Sequence, residues 1–123
     1  MTPELEGLAD EDYCYLTTTG RISGEPREIE IWFGLAGSRL YMLSGGRDRA
    51  NWVRNLMRTP EVRVRIGDRE FEGRARIVND GNEDAAARRL LLDKYAPGYS
   101  GDLSAWGRDS LPVAVDLAPV QAN

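Results

Sequence analysis

Short runs of alternating apolar and polar residues dominate this chain. Ile29, Ile31 and Phe33 alternate with Glu28, Glu30 and Trp32, the period-two pattern of a strand with one buried face. The β-branched and aromatic run Tyr13 to Thr19 predicts a strand before it. Leu40-Tyr41-Met42-Leu43 predicts one after it, with Ala36-Gly37-Ser38 as the turn of a hairpin. Val62, Val64 and Ile66 alternate with Arg63 and Arg65, and a further run from Arg69 to Ile77 follows Gly67-Asp68. A two-residue turn at that pair sets Ile66 opposite Arg69, Arg65 opposite Glu70, Val64 opposite Phe71 and Arg63 opposite Glu72. Opposite charges then share one face, which assigns Arg63 and Arg65 to a surface ladder rather than to an anion site. Leu111 to Leu117, with Pro112 near its start, suits a final edge strand.

Two stretches carry helical spacing. Trp52 and Leu56 fall four apart, with Val53 and Met57 beside them, in a helix that Asp48 is placed to cap and Pro60 ends. Asp80 and Glu83 form a capping-box variant opening a second helix to about Tyr95. Ala87, Leu91 and Lys94 lie on one line of it, and Pro97-Gly98 stops it. Residues 3 to 12, with Leu5 and Leu8 three apart, predict one short acidic helix. The polar segment from Tyr99 to Trp106 reads as a lid or site loop. The order strand-strand-strand-helix-strand-strand-helix-strand, with mostly hairpin-like links, predicts a mainly β (α+β) protein. Its sheet or barrel is antiparallel and flanked by helices, not parallel and doubly wound.

Composition narrows the chemistry. The 123 residues, 41% hydrophobic, fit a single domain over 1–123 with one core. Met1 to Asp12 has no basic residue to lead a secretory signal, and no apolar run approaches the roughly 20 residues of a membrane span, so a soluble, cytoplasmic protein is expected. With Cys14 as the only cysteine and no histidine, an internal disulfide, the usual zinc sets, and Ser-His-Asp or Cys-His catalysis are excluded. No metal is expected, and an enzyme built this way draws its chemistry from a bound cofactor. The net charge of −4 argues against a general nucleic-acid binder. All basic residues but Lys94 are arginine, so a lone arginine is not by itself a ligand signal.

The stretch Thr17-Thr18-Thr19-Gly20-Arg21-Ile22-Ser23-Gly24-Glu25-Pro26-Arg27 has the make-up of an anion cradle. Its glycines let backbone N–H groups approach a phosphate, its hydroxyls add donors, and Arg21 and Arg27 offer charged forks. A plain strand-joining loop has the same composition. It is not a dinucleotide fingerprint, because G-x-G-x-x-G at a strand-to-helix turn is absent.

Tyr15 to Arg27, then Leu43-Ser44-Gly45-Gly46, then Asn51-Trp52 with Asn55-Leu56, resemble in order and spacing the deazaflavin-dependent nitroreductase family of the flavin-binding split-barrel superfamily. The similarity covers roughly Tyr13 to Val78. It implies a six-stranded, mainly antiparallel split β-barrel that binds coenzyme F420, or FMN in sister branches. The reduced cofactor delivers hydride to a small acceptor such as a nitro compound, quinone or enone. The resemblance assigns Arg21, Ser23, Gly24 and Arg27 to the phosphate side of the cofactor and Ser44, Gly45 and Gly46 to the stretch beside its ring. Trp52 and Asn55 fall on the helix lining the site. It also implies a homodimer with the site near the interface. Relatives carry a lysine where this chain has Ile22, and often another basic residue beside the second glycine pair, so F420 with altered contacts and FMN both stay open. Tyr95 and Tyr99, beside the candidate lid, are placed to give the acceptor a proton, with ring packing as the alternative role. A cofactor carrier without turnover is the competing functional reading.

Overall fold

Seven antiparallel strands form one sheet in this computed structural model, which describes residues 7–119. They are β1 (Cys14–Thr19), β2 (Pro26–Ile31), β3 (Gly34–Ala36), β4 (Arg39–Ser44), β5 (Glu61–Ile66), β6 (Arg69–Ile77) and β7 (Leu111–Pro119), in the spatial order β2-β1-β5-β6-β7-β4-β3. The helices are α1 (Asn51–Arg58), α2 (Gly81–Tyr95) and α3 (Ser104–Asp109). The two outermost strands, β2 and β3, are joined by only Trp32 and Phe33. A flat sheet of seven strands would set its edges about 29 Å apart, while three Cα steps reach no more than about 11 Å. The sheet is therefore curled into a split barrel. The expected second strand is the seam of that barrel, bent at Trp32-Phe33 so that its first half pairs with β1 and its second with β4. Six strands were expected; the bend makes seven, and the hairpin across Ala36-Gly37-Ser38 involves only the short β3.

The β5–β6 hairpin has the register its sequence dictates, including Arg65 opposite Glu70 and Val64 opposite Phe71. β7 is not an edge strand. It runs between β6 and β4, with Val113 and Val115 in the barrel core and Ala114 under α2. Pro112 is tolerated because it precedes the ladder to β6, which begins at Val113 opposite Ile77, and its carbonyl accepts the Val78 N–H at 3.1 Å.

Leu16, Leu40, Met42, Val64 and Phe71 fill the barrel together with Val53 and Leu56 from α1. α2 covers the outside, seating Ala87 and Leu91 on Tyr41, Leu43 and Ala114. Asp80 caps α2 by accepting the Glu83 N–H at 2.9 Å, as expected. Asp48 does not cap α1; it lies in a 3-10 turn, and Ala50 holds the cap position with no side-chain bond. The expected helix on residues 3–12 falls partly outside the described residues, and residues 7–10 form a turn that lays Leu8 and Ala9 on the core. The candidate lid, Tyr99 to Trp106, is irregular over residues 99–103 after a 3-10 turn at Ala96–Gly98, and its end enters the helix α3. No helix among the described residues is long and apolar enough to cross a membrane.

Candidate functional site

The loop between β1 and β2 is closed by its own backbone. Gly20 N–H donates to the Glu25 carbonyl and Gly24 N–H to the Gly20 carbonyl, both at 2.8 Å. A Cβ at Gly20 would stand 2.8 Å from Ser23 Oγ and 3.1 Å from the Glu25 carbonyl oxygen, so the loop closes this tightly only around a glycine. Gly24 supplies the left-handed turn at φ +75°. The closed loop turns the Ser23 hydroxyl back, where it accepts from Glu25 N–H (3.1 Å) and Arg27 Nη2 (3.2 Å).

α1 forms the facing wall. Its apolar side is anchored in the barrel, which leaves Asn51, Trp52 and Asn55 toward the loop. Together with Arg21, Ser23 and Arg27 they line a cavity of about 460 Å³. Asn55 is buried, accepts from both the backbone N–H (3.1 Å) and Nη1 (3.0 Å) of Arg21, and donates to Thr18 Oγ1 at 3.1 Å. Among the described residues no carboxylate pairs with Arg21 or Arg27. Two uncompensated guanidinium groups beside a hydroxyl make a place for phosphate or carboxylate oxygens.

The structure thus gathers Arg21, Ser23, Arg27, Trp52 and Asn55 around one cavity, and leaves the other candidates outside its lining. Gly24 borders a larger hollow of about 660 Å³ over the outward face of the sheet. Arg63–Glu72 and Arg74–Glu61 there neutralise one another, which makes it the poorer anion site despite its size. Ser44 is buried at the end of β4 with its hydroxyl given to the Arg47 carbonyl at 2.9 Å, and Gly45 and Gly46 lie exposed beyond it. Thr18 and Asn51, which the sequence placed in the cradle stretch and in the helix motif without giving either a site role, also line the cavity. Their signals were the inward phase of β1, which buries Cys14, Leu16 and Thr18, and the four-residue spacing of Asn51 and Asn55.

The tyrosines lie elsewhere. Tyr95 stacks on Trp32 with ring centroids 4.2 Å apart, and its hydroxyl accepts the Phe33 N–H at 3.0 Å and reaches the carbonyls of Asp12 (2.8 Å) and Phe33 (3.0 Å). Burial pushes its phenol up to about 12. This hydroxyl fastens the bend between β2 and β3, which favours the packing role for Tyr95 over that of a proton donor. Tyr99 is 46% exposed and meets Trp32 edge-on at 5.9 Å.

The sequence profile of the F420H(2)-dependent quinone reductase family matches residues 4–118. The chain belongs to that family. Among solved structures it is similar to a protein described as an F420 reductase (22% identity, TM-score 0.67, 96% of each chain covered). It is also similar to a putative 5-nitroimidazole antibiotic resistance protein from Bacteroides thetaiotaomicron (16% identity, TM-score 0.74, 95% of this chain and 80% of the other). A third similar structure is described as a domain-swapped dimer (26% identity, TM-score 0.66, 85% of this chain and 78% of the other). At their low identity the first two show the shared fold. Membership of the F420H(2)-dependent quinone reductase family supports an oxidoreductase that uses F420 and lends no support to FMN. The donors of the cradle fit such a cofactor, because its anionic portion calls for cations not already neutralised by the protein.

Proposed function

We propose that the protein binds F420 with its phosphate side between the Gly20–Glu25 loop and α1, and reduces a quinone there. The observation that carries this reading is the pair Arg21 and Arg27, both without a carboxylate partner among the described residues and both lining the cavity that α1 closes. Reduced F420 supplies the hydride. Arg27, steadied by Ser23, and Arg21, steadied by Asn55, bind the anionic portion, and Trp52 offers an apolar wall to a flat ring. The cavity lining holds no histidine, cysteine, tyrosine or carboxylate, so the protein's part there is binding and orientation. Of the two candidate tyrosines Tyr99 is the exposed one, and its contribution to acceptor protonation is part of this proposal. Nitro compounds and enones extend the same acceptor chemistry. A homodimer, the assembly expected for split barrels, is supported by the likeness to a domain-swapped dimer.

The test is a side-by-side titration of the purified protein with F420 and FMN, followed by oxidation of reduced F420 on addition of menadione. Tighter binding of F420 and menadione-dependent oxidation are expected. Binding without oxidation would mark a cofactor carrier, and preference for FMN would displace the F420 reading.

A further inference from the structure

Arg21 differs from the ion-paired arginines of the chain in what holds it. Arg39, Arg63, Arg74, Arg76, Arg88 and Arg108 each pair with a carboxylate, whereas Arg21 is held by two carboxamides. Asn55 Oδ1 takes both its backbone N–H (3.1 Å) and its Nη1 (3.0 Å), and Asn51 Oδ1 takes its Nη2 at 3.2 Å. Because a guanidinium has no acceptor, each amide must turn its oxygen to Arg21. For Asn55 that leaves Nδ2 to donate to the buried hydroxyl of Thr18 at 3.1 Å, which locks the ring of contacts from below.

A carboxylate in either position would accept the same N–H groups of Arg21 and would also cancel its charge, and at position 55 the Thr18 hydroxyl would have to turn and donate in place of accepting. A carboxamide fixes the fork and cancels nothing. Two of the five N–H groups of the guanidinium are held this way, and the rest stay available to a ligand. Asn51 and Asn55 stand one helical turn apart on α1, whose Val53 and Leu56 are buried in the barrel core, so the fork is referenced to that core.

We infer that Asn51, Asn55 and Thr18 are positioning residues that orient Arg21 while preserving its full positive charge, and so set the affinity of the cradle for an anionic group. This rests on the proposed cofactor site for the identity of the anion, but not for the charge argument itself.

The experiment titrates the wild type and the variants Asn51→Asp, Asn55→Asp, Arg21→Ala and Arg21→Ala/Asn55→Asp with F420 and, separately, with inorganic phosphate, and records a thermal melt of each. Each aspartate should lower affinity by about tenfold or more, the scale of a charged hydrogen bond, with a melting temperature equal to or above that of the wild type. A residue with a merely structural role would show the opposite pattern, lower stability with affinity kept. In the Arg21→Ala background, Asn55→Asp should lower affinity by clearly less than it does in the wild type, because only the repulsion between the new carboxylate and the anion remains and no guanidinium is left to neutralise. Wild-type affinity in both aspartate variants, or an undiminished loss from Asn55→Asp without Arg21, would overturn the inference. Asn51 is exposed, so its variant keeps the test open should the buried one misfold. A wild type that binds phosphate but not F420 would sink the cofactor reading and leave this one to be decided on phosphate. A wild type that binds neither would sink both.

Discussion

Arg76 on β6 and Glu83 in the first turn of α2 meet in two parallel hydrogen bonds, Nη1 to Oε1 and Nη2 to Oε2, each 2.8 Å long. Tyr41 donates to the same carboxylate at 2.7 Å, and Arg39 approaches it at 3.3 Å. One side chain therefore ties α2 to β4 and β6, and this is why Glu83 does not complete the capping box that its spacing from Asp80 suggests. Arg76 and the Tyr41 hydroxyl hold its carboxyl down, from 4.5 to about 2.

A carboxyl depressed by folding contributes in full above its unfolded value and loses that contribution as pH falls from about 4.5 through about 2. Glu83→Gln should lower unfolding free energy by about 1–2 kcal/mol at pH 7, a charged hydrogen-bond scale reduced because both arginines are substantially exposed. The variant should also lose less stability than the wild type between pH 5 and pH 2. Urea melts across that range check both slopes; parallel curves would show that Glu83 is not the titrating tie.

Much of this architecture was legible because local chemistry decides it. The β5–β6 register follows from Gly67-Asp68 and the charges around it, and α2 follows from Asp80 at one end and Pro97 at the other. Contacts between distant segments were not legible. Nothing local says that Ile31 and Gly34 belong to opposite edges of a curled sheet, or that Leu111 to Leu117 enters between two other strands; these are settled by barrel closure. The cradle shows the same division. Gly20, Ser23 and Arg27 are neighbours in sequence and their grouping was foreseen, whereas the clasp of Asn51, Asn55 and Thr18 on Arg21 joins β1 to a helix over thirty residues away. The two roles offered for Tyr95 were not separable in sequence, because a helix-end tyrosine looks the same whether its hydroxyl meets solvent or a backbone bend.

Tyr95→Phe keeps the stack on Trp32 and removes the hydroxyl that accepts the buried Phe33 N–H. An unsatisfied buried donor costs about 1–3 kcal/mol, so the variant should unfold at lower urea while turnover of folded protein stays unchanged. Tyr99→Phe should leave stability alone. If the Tyr99 phenol protonates the acceptor, turnover falls by about 10²–10⁴ with cofactor affinity kept; unchanged turnover assigns the proton to solvent.

Gly20→Ala puts a methyl group within 2.8 Å of Ser23 Oγ. The hydroxyl must move, and with it the support of Arg27. Anion affinity should therefore fall while the β5–β6 hairpin, on the other side of β1, keeps its register. Phosphate or F420 titration beside an NMR comparison of the two regions would show whether the effect is as local as the geometry requires.

Arg27 and Arg63 offer the sharpest contrast between an arginine that serves the site and one that serves the sheet. Arg27 lines the cavity of about 460 Å³, is turned by Ser23, and has no carboxylate partner among the described residues. Arg63 lies on the β5–β6 ladder opposite Glu72, with its Nη2 3.5 Å from the carboxylate, and both side chains are more than half exposed. Arg27→Ala should weaken F420 binding by about 10- to 100-fold, the loss of a charged hydrogen bond, with little change in stability. Arg63→Ala removes a solvent-screened pair and should change neither quantity by a measurable amount. Since both substitutions delete the same charge from the same protein, net charge cannot account for a difference between them. Equal effects on F420 affinity would mean that the phosphate side of the cofactor lies away from the Gly20–Glu25 loop, and the larger hollow beside Gly24 and Arg63 would then become the place to look.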